Sequence, residues 1–272
     1  SEAISDLYSR EEIQILFEIF AENILKFDRF TQRNSAEKIL SEEDFEKFEE
    51  VISELQTGKP YQQILGETEF YGMKFFVNEH VLIPRPETEE LLEFAISEIS
   101  NLKSQTSNLK ILDIGTGSGI IPIVLKKHFP KAEVSAIDFS EKALEVAQRN
   151  ADFHELNINF IQADYLKYSL QEKFDVIISN PPYIGIDEES EIADSVKEFE
   201  PKMALFSPTS DAVIFYRKIA EDCEKHLNKN GLLFLEINQK LGEETLDLYK
   251  NLLEYRLLKD LSGNDRFIFG VK

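Results

Sequence analysis

Residues 111–119 read ILDIGTGSG: a short apolar run carrying Asp113, then Gly115, Gly117 and Gly119 at alternate positions, then the apolar start of a helix. A strand without polar alternation is one buried on both faces, as in parallel sheets. Glycines let the chain turn with positive φ and let a ligand approach the backbone, while the start of the next helix offers unpaired N–H groups. With Thr116 and Ser118 between them, the whole of Gly115–Gly119 is a candidate ligand cradle. A dinucleotide-binding turn would carry its third glycine where Ile120 stands, which opposes a nicotinamide-dependent oxidoreductase.

Working outward, "EVSAID" ends on Asp138, whose two oxygens suit a ribose diol. "INFIQ" leads into "QADY", which sets Asp164 and Tyr165 at the carboxyl edge where ligands of open α/β sheets bind and where an adenine ring would lie. "FDVIIS" and "GLLFLEI" are further buried strands, and the helices between them include one capped by Ser140. The alternation predicts an α/β fold: a mainly parallel, doubly wound, Rossmann-like sheet with helices on both faces. "YRLLKDLSG" and "DRFIFGVK", joined by a Gly-Asn-Asp turn, predict a C-terminal antiparallel hairpin.

Upstream the pattern is different. From Ser9 to Gln56 apolar residues recur at helical spacing, Ile13, Leu16, Phe17, Phe20 and Ile24 in one stripe and Phe45, Phe48, Ile52 and Leu55 in another. Ser9 and Glu12 form a capping-box pattern, and Gly58 and Pro60 stop the second stripe. Residues 1–65 therefore read as a small helical domain, 66–85 as a hairpin connector with Gly72 at its turn, and 86–272 as the catalytic domain, with Pro86 in the first turn of its first helix.

The most informative chemistry is Asn180-Pro181-Pro182-Tyr183, directly after "FDVIIS". The prolines stiffen the turn, so the Asn180 side-chain oxygen and the Pro181 carbonyl can be held as paired acceptors for an NH2 group, and Tyr183 can stack on a planar amide or base. An amide nitrogen is a poor nucleophile because its lone pair is delocalised. Two acceptors can turn it toward an electrophile and oppose the positive charge that develops on it.

Composition narrows the partners. A formal charge of -21, from 51 acidic against 30 basic residues, repels polyphosphate and favours encounter with a basic protein. It argues against direct nucleic-acid binding. With 42% hydrophobic and 30% charged residues the chain is too apolar to be disordered. Cys223 has no second cysteine to pair with, and His80, His128, His154 and His226 lack metal-ligand spacing, so no metal is expected. The acidic run "DEESE" from Asp187 reads as a solvated loop or a guide for a basic substrate. No apolar run approaches the ~20 residues of a membrane span and the N-terminus is acidic, so the expectation is a cytoplasmic protein off the membrane, and a monomer.

D-x-G-x-G-x-G resembles the first motif of class I methyltransferases, and with NPPY the chain resembles the release-factor glutamine N5-methyltransferases over nearly its whole length. "GETEFYG" from Gly66, "IPRPETEEL" from Ile83 and "FEPKMAL" from Phe199 carry the resemblance beside the two motifs. It implies methyl transfer from S-adenosylmethionine, leaving S-adenosylhomocysteine, to the glutamine of the Gly-Gly-Gln motif in peptide-chain release factors. It further implies that Gly115–Gly119 cradle the methionine part, Asp138 holds the ribose, Tyr165 neighbours adenine, Asn180–Tyr183 hold the glutamine, and Arg85 and Glu87 order the site; many relatives have Trp where Tyr165 stands. NPPY alone also occurs in DNA and RNA amino-methyltransferases, and a non-catalytic protein retaining the fold is a third reading.

Overall fold

The computed structural model describes residues 2–35, 39–103, 108–184, 194–207, 209 and 211–272. The "DEESE" run lies outside them. The chain divides into two compact units, Ser1–Glu67 and Thr68–Lys272.

The first unit contains α1 (Arg10–Leu25), α2 (Arg29–Asn34), α3 (Glu42–Gln56) and α4 (Tyr61–Leu65). The capping box forms as expected: Ser9 N–H donates to Glu12 at 2.7 Å and Glu12 N–H to the Ser9 hydroxyl at 3.3 Å. Ile4, Leu16, Phe20 and Leu55 make the core, with Ile13, Ile24, Phe48 and Ile52 around it. Phe17 and Phe45, placed in the apolar stripes by their spacing, are each 52% exposed. The sequence reading also missed α2, whose start is marked by Asp28 accepting the Thr31 N–H at 2.7 Å.

The second unit opens with a two-stranded hairpin, β1 (Glu67–Phe70) and β2 (Met73–Phe76). Tyr71 and Gly72 both have positive φ, which matches the twist of a hairpin but is costly for Tyr71. That strain is offset locally, because Glu89 accepts the Tyr71 N–H at 2.6 Å and Glu93 its hydroxyl at 2.8 Å. Glu89 and Glu93 lie on α5 (Pro86–Lys103), which begins at the expected proline.

The main sheet has seven strands: β3 (Lys110–Ile114), β4 (Glu133–Asp138), β5 (Asn159–Gln162), β6 (Phe174–Ser179), β7 (Leu227–Glu236), β8 (Glu254–Lys259) and β9 (Asp265–Val271). Their order is β5-β4-β3-β6-β7-β9-β8. The first five are parallel neighbours and the terminal hairpin is antiparallel, with β9 inserted beside β7. Between and after the strands lie α6 (Ile120–His128), α7 (Glu141–Phe153), α8 (Asp194–Phe199), α9 (Lys202–Leu205), α10 (Ile214–His226) and α11 (Gly242–Leu246).

Alternation along each strand explains the two cores. Ile111, Val176, Ile178 and Phe234 face one cluster with Leu91, Leu92 and Ile99 of α5. Leu112, Ile177, Leu233 and Leu235 face the other with Tyr216, Ile219 and Cys223 of α10. Each of the aliphatic and phenylalanine side chains among them contributes about 1.5–3 kcal/mol by leaving water. The chain proceeds from β3 to β4 and β5 on one side, then crosses to β6 and β7 on the other. A crevice therefore opens at the carboxyl ends of β3 and β6.

Candidate active site at the carboxyl edge of the sheet

The glycine loop leaves β3 fastened to its neighbour. Gly115 and Thr116 N–H groups both donate to the Ile137 carbonyl, at 2.8 and 3.1 Å. Gly115, Gly117 and Gly119 have φ of 76°, 54° and 80°. A Cβ on Gly119 would lie 2.9 Å from the Ala147 Cβ, so this glycine lets α6 and α7 pack. A Cβ on Gly117 would meet nothing within 4 Å, so the loop is open there.

One residue that the sequence reading missed holds this loop. Buried Asn150 donates to the Ser118 carbonyl at 2.8 Å, and also brackets Phe76 by accepting its N–H at 2.7 Å and donating to its carbonyl at 3.0 Å. The available signal was a polar residue at i+7 on the apolar face Ala143, Val146, Ala147.

Two acids end the neighbouring strands and differ sharply. Asp138 accepts the Gly117 N–H at 2.8 Å and the Ser140 N–H at 2.9 Å, which leaves each oxygen a further lone pair for a diol. Burial raises its pKa. Asp113 is fully buried, and neither oxygen has a hydrogen-bond partner among the described residues, nor has the Thr116 hydroxyl. Burial pushes Asp113 up to about 7, opposed by the nearby Thr116 hydroxyl and Ile114 N–H and reinforced by the charge of Asp138.

Beyond Asp138 a cavity of about 480 Å³ is lined by Phe139, Ser140, Glu141, Gln162, Ala163, Asp164 and Met203. Asp164 stands in its wall, accepting from the Leu166 N–H at 3.2 Å and from Lys167 at 2.7 Å. Tyr165 is not part of that lining: its ring is packed in the second core cluster, 4% exposed, and its phenol donates to Asp222 at 2.8 Å. The flat side chain bordering the cavity is Phe139, 57% exposed. Its signal in the sequence was an aromatic residue directly after a strand-end acid.

On the other side of the crevice, Ile114 is in register with Ser179, so Gly115 and Asn180 leave the sheet side by side. The Ser179 hydroxyl ties the strands by donating to the Ile114 carbonyl at 2.6 Å. A Cβ on Gly115 would lie 3.9 Å from both the Asn180 carbonyl oxygen and the Pro181 Cα. Pro181 is buried, and Asn180, Pro182 and Tyr183 are half-buried. The Tyr183 carbonyl accepts from Asn238 at 3.2 Å, and burial, then the charge of Glu236, raise the Tyr183 phenol. Asn180 Nδ2 donates to the Thr88 hydroxyl at 3.3 Å.

Arg85 pairs with Glu200 at 2.5 Å, and Glu200 also accepts the Ile83 N–H at 3.0 Å, so one buried carboxylate clamps the "IPRP" segment to the "FEPKMAL" segment. Glu87 acts through its charge, which bears on Tyr183, Glu236 and Arg266. The carboxyl ends of β3, β4 and β6 thus bring Asp113, Gly115–Gly119, Asp138 and Asn180–Tyr183 together, with Asp164 across the cavity at the end of β5. Among the described residues no group of three or more His, Cys, Asp or Glu is arranged to hold a metal ion, and no helix is long and apolar enough to cross a membrane.

Comparison with known proteins bears on this edge and on the first unit. Residues 97–198 match the methyltransferase small domain and residues 1–66 the PrmC N-terminal domain. The release factor glutamine methyltransferase of Flavobacterium psychrophilum is 46% identical over 271 residues, covering 98% of this chain and 94% of the relative. That of Streptococcus pneumoniae is 41% identical over 235 residues, covering 85% and 82%. Among solved structures, a methyltransferase from Pyrococcus furiosus superposes with a TM-score of 0.52 at 18% identity, covering 78% of this chain and 94% of that one, a likeness of fold.

Proposed function

The chain belongs to the family of release factor glutamine methyltransferases, and from that premise we propose that it moves a methyl group from S-adenosylmethionine to the side-chain amide nitrogen (N5) of the glutamine in the Gly-Gly-Gln motif of peptide-chain release factors. The observation that supports the reading is the register of Ile114 with Ser179, which brings the Asn180–Pro181 backbone beside the glycine loop.

The residues suit the cofactor. Asp138 keeps lone pairs for a ribose diol, Phe139 offers adenine a flat face beside the cavity, and Asp113 and Thr116 hold buried polar atoms at the glycine loop that find no hydrogen-bond partner among the described residues. When bound, S-adenosylmethionine supplies an electrophilic methyl group on a sulfonium sulfur. Asn180 Oδ1 and the Pro181 carbonyl accept the two N–H bonds of the substrate amide, turn its nitrogen toward the methyl and favour a pyramidal geometry. They also oppose the charge that develops on nitrogen, a role of the kind that preorganised dipoles fill well away from bulk water. Tyr183 stacks on the amide plane. The methylated nitrogen then loses its proton to water, and no strong base or metal is needed.

Residues 1–65 and the connector 66–85 recognise the folded release factor, so specificity comes from protein contacts; the enzyme acts as a cytoplasmic monomer. The acidic total of -21 favours such a partner over nucleic acid. The test is transfer of labelled methyl to a purified release factor, to its Gln→Ala variant, and to unmethylated DNA and RNA. Label on the wild-type factor alone is expected; label on nucleic acid alone would move the acceptor to a base nitrogen.

A further inference from the structure

An asparagine carboxamide is nearly symmetric in shape, and a half-turn exchanges its oxygen for its NH2 group. Only the orientation with Oδ1 toward the substrate accepts from an amide NH2, so the proposed chemistry needs something that selects it. The arrangement behind Asn180 does so. Its Nδ2 lies 3.3 Å from Thr88 Oγ1, and Thr88 Oγ1 lies 2.7 Å from Glu236 Oε2. Thr88 is 6% exposed and Glu236 wholly buried.

A hydroxyl has one proton, and an ionised carboxylate can only accept. The Thr88 proton therefore goes to Glu236, and what remains for Asn180 is a lone pair, which can be satisfied only by the NH2 end of the carboxamide. Resting on the acceptor role assigned to Asn180 above, we propose that Thr88 and Glu236 are positioning residues that lock the Asn180 carboxamide with Oδ1 turned toward the substrate amide.

The fold holds both members firmly. Thr88 sits in the first turn of α5, where its N–H donates to the Arg85 carbonyl at 3.0 Å. Glu236 ends β7 one residue beyond Leu235, which is in register with Ser179, so Glu236 and Asn180 leave adjacent strands at the same level. The Tyr216 hydroxyl donates to the Glu236 carbonyl at 3.0 Å and fixes the backbone there. The groups facing Glu236 are Thr88 and Glu87 from α5, Arg266 from β9, Tyr183 from the NPPY turn and Tyr216 from α10.

Burial pushes Glu236 up to about 7, against a lowering by its bond from Thr88 and by the charge of Arg266. A protonated Glu236 can donate to Thr88, which frees the Thr88 proton for Asn180 Oδ1 and reverses the lock. The competent form is the carboxylate, and it is lost as pH falls through about 7.

The test measures kcat, KM for the release factor and cofactor affinity for Thr88→Val, Thr88→Ser and Asn180→Ala. Thr88→Val keeps the shape and removes the hydroxyl; kcat should fall about tenfold, as expected for one lost hydrogen bond, with KM and cofactor affinity unchanged, and Thr88→Ser should restore it. Wild-type kcat in Thr88→Val beside an inactive Asn180→Ala overturns the lock and leaves the acceptor reading standing. Normal turnover in Asn180→Ala removes the acceptor reading itself. A fall in kcat matched by equal losses in KM and affinity would mean general distortion and would also overturn the lock. Independently, the acidic limb of the kcat–pH profile should disappear in Glu236→Gln; a limb that persists unchanged overturns the proposal.

Discussion

The two sides of the crevice are held by different means. On the β3–β4 side the fastening ends on the loop's own backbone: the Gly115 and Thr116 N–H groups meet the Ile137 carbonyl, the Asp138 carboxylate accepts from the Gly117 and Ser140 N–H groups, and Asn150 donates to the Ser118 carbonyl. On the β6–β7 side, side chains from remote segments meet one another. Asn180 touches Thr88 across 92 residues of sequence, and Thr88 touches Glu236 across 148. A backbone-held cradle tolerates many side-chain changes around it, whereas a side-chain assembly fails atom by atom. The first suits a cofactor that must be bound repeatedly in one pose. The second suits an acceptor whose nitrogen has to be aimed.

The sharpest way to break this contrast is at Asn180. Asn180→Ala removes the proposed preorganised acceptor at a developing charge, and methyl transfer should slow by roughly 10²–10³ in single-turnover measurements. Cofactor affinity should change far less, because the Asn180 backbone that borders the glycine loop is retained while the lost side chain reaches toward Thr88. A parallel collapse of affinity would show that the two sides are not separable.

A smaller effect is expected at Asp138. Asp138→Ala deletes the candidate ribose acceptor and also frees the Gly117 and Ser140 N–H groups. Cofactor binding should weaken by about 1.5–3 kcal/mol, the range for a hydrogen bond to a charged group, as read by calorimetry. Unchanged affinity would remove Asp138 from the ribose site, and would sharpen the view that the loop is held by Ile137 and Asn150 instead.

The same contrast explains what could be read from the sequence. The parallel sheet, the glycine loop and NPPY rest on residues close together in the chain, so spacing alone exposes them. The capping box at Ser9, the cap at Ser140 and the start of α5 at Pro86 were legible for the same reason. Asn150, Thr88 and Glu236 were not, since each looks like an ordinary helix or strand residue until a segment 32 to 148 residues away is placed against it. Tyr165 marks a further limit. "QADY" locates the strand end, but successive residues there face opposite ways, Asp164 toward the cavity and Tyr165 into the core. Only the fold distinguishes Tyr165 from Phe139 as the aromatic residue beside the cavity.

The finest test concerns Asp113, the fully buried acid on the cofactor side. Its folded pKa, about 7, lies well above the usual carboxylate value because burial disfavours its charge. Between the unfolded and folded values the folded protein binds the extra proton, so stability is full at low pH and falls as pH rises toward 7, by no more than about 1.4 kcal/mol per pH unit from this group. Glu236 on the acceptor side, also pushed up to about 7, should act in the same direction. Thermal unfolding of the cofactor-free protein at pH 5, 6 and 7 should therefore show a descent that Asp113→Asn flattens in part, with the remainder shared by Glu236 and Asp138. If Asp113→Asn leaves the slope untouched, the carboxylate has found donors in solution. The two sides of the crevice would then differ in how their acids are satisfied, and not only in how their chains are held.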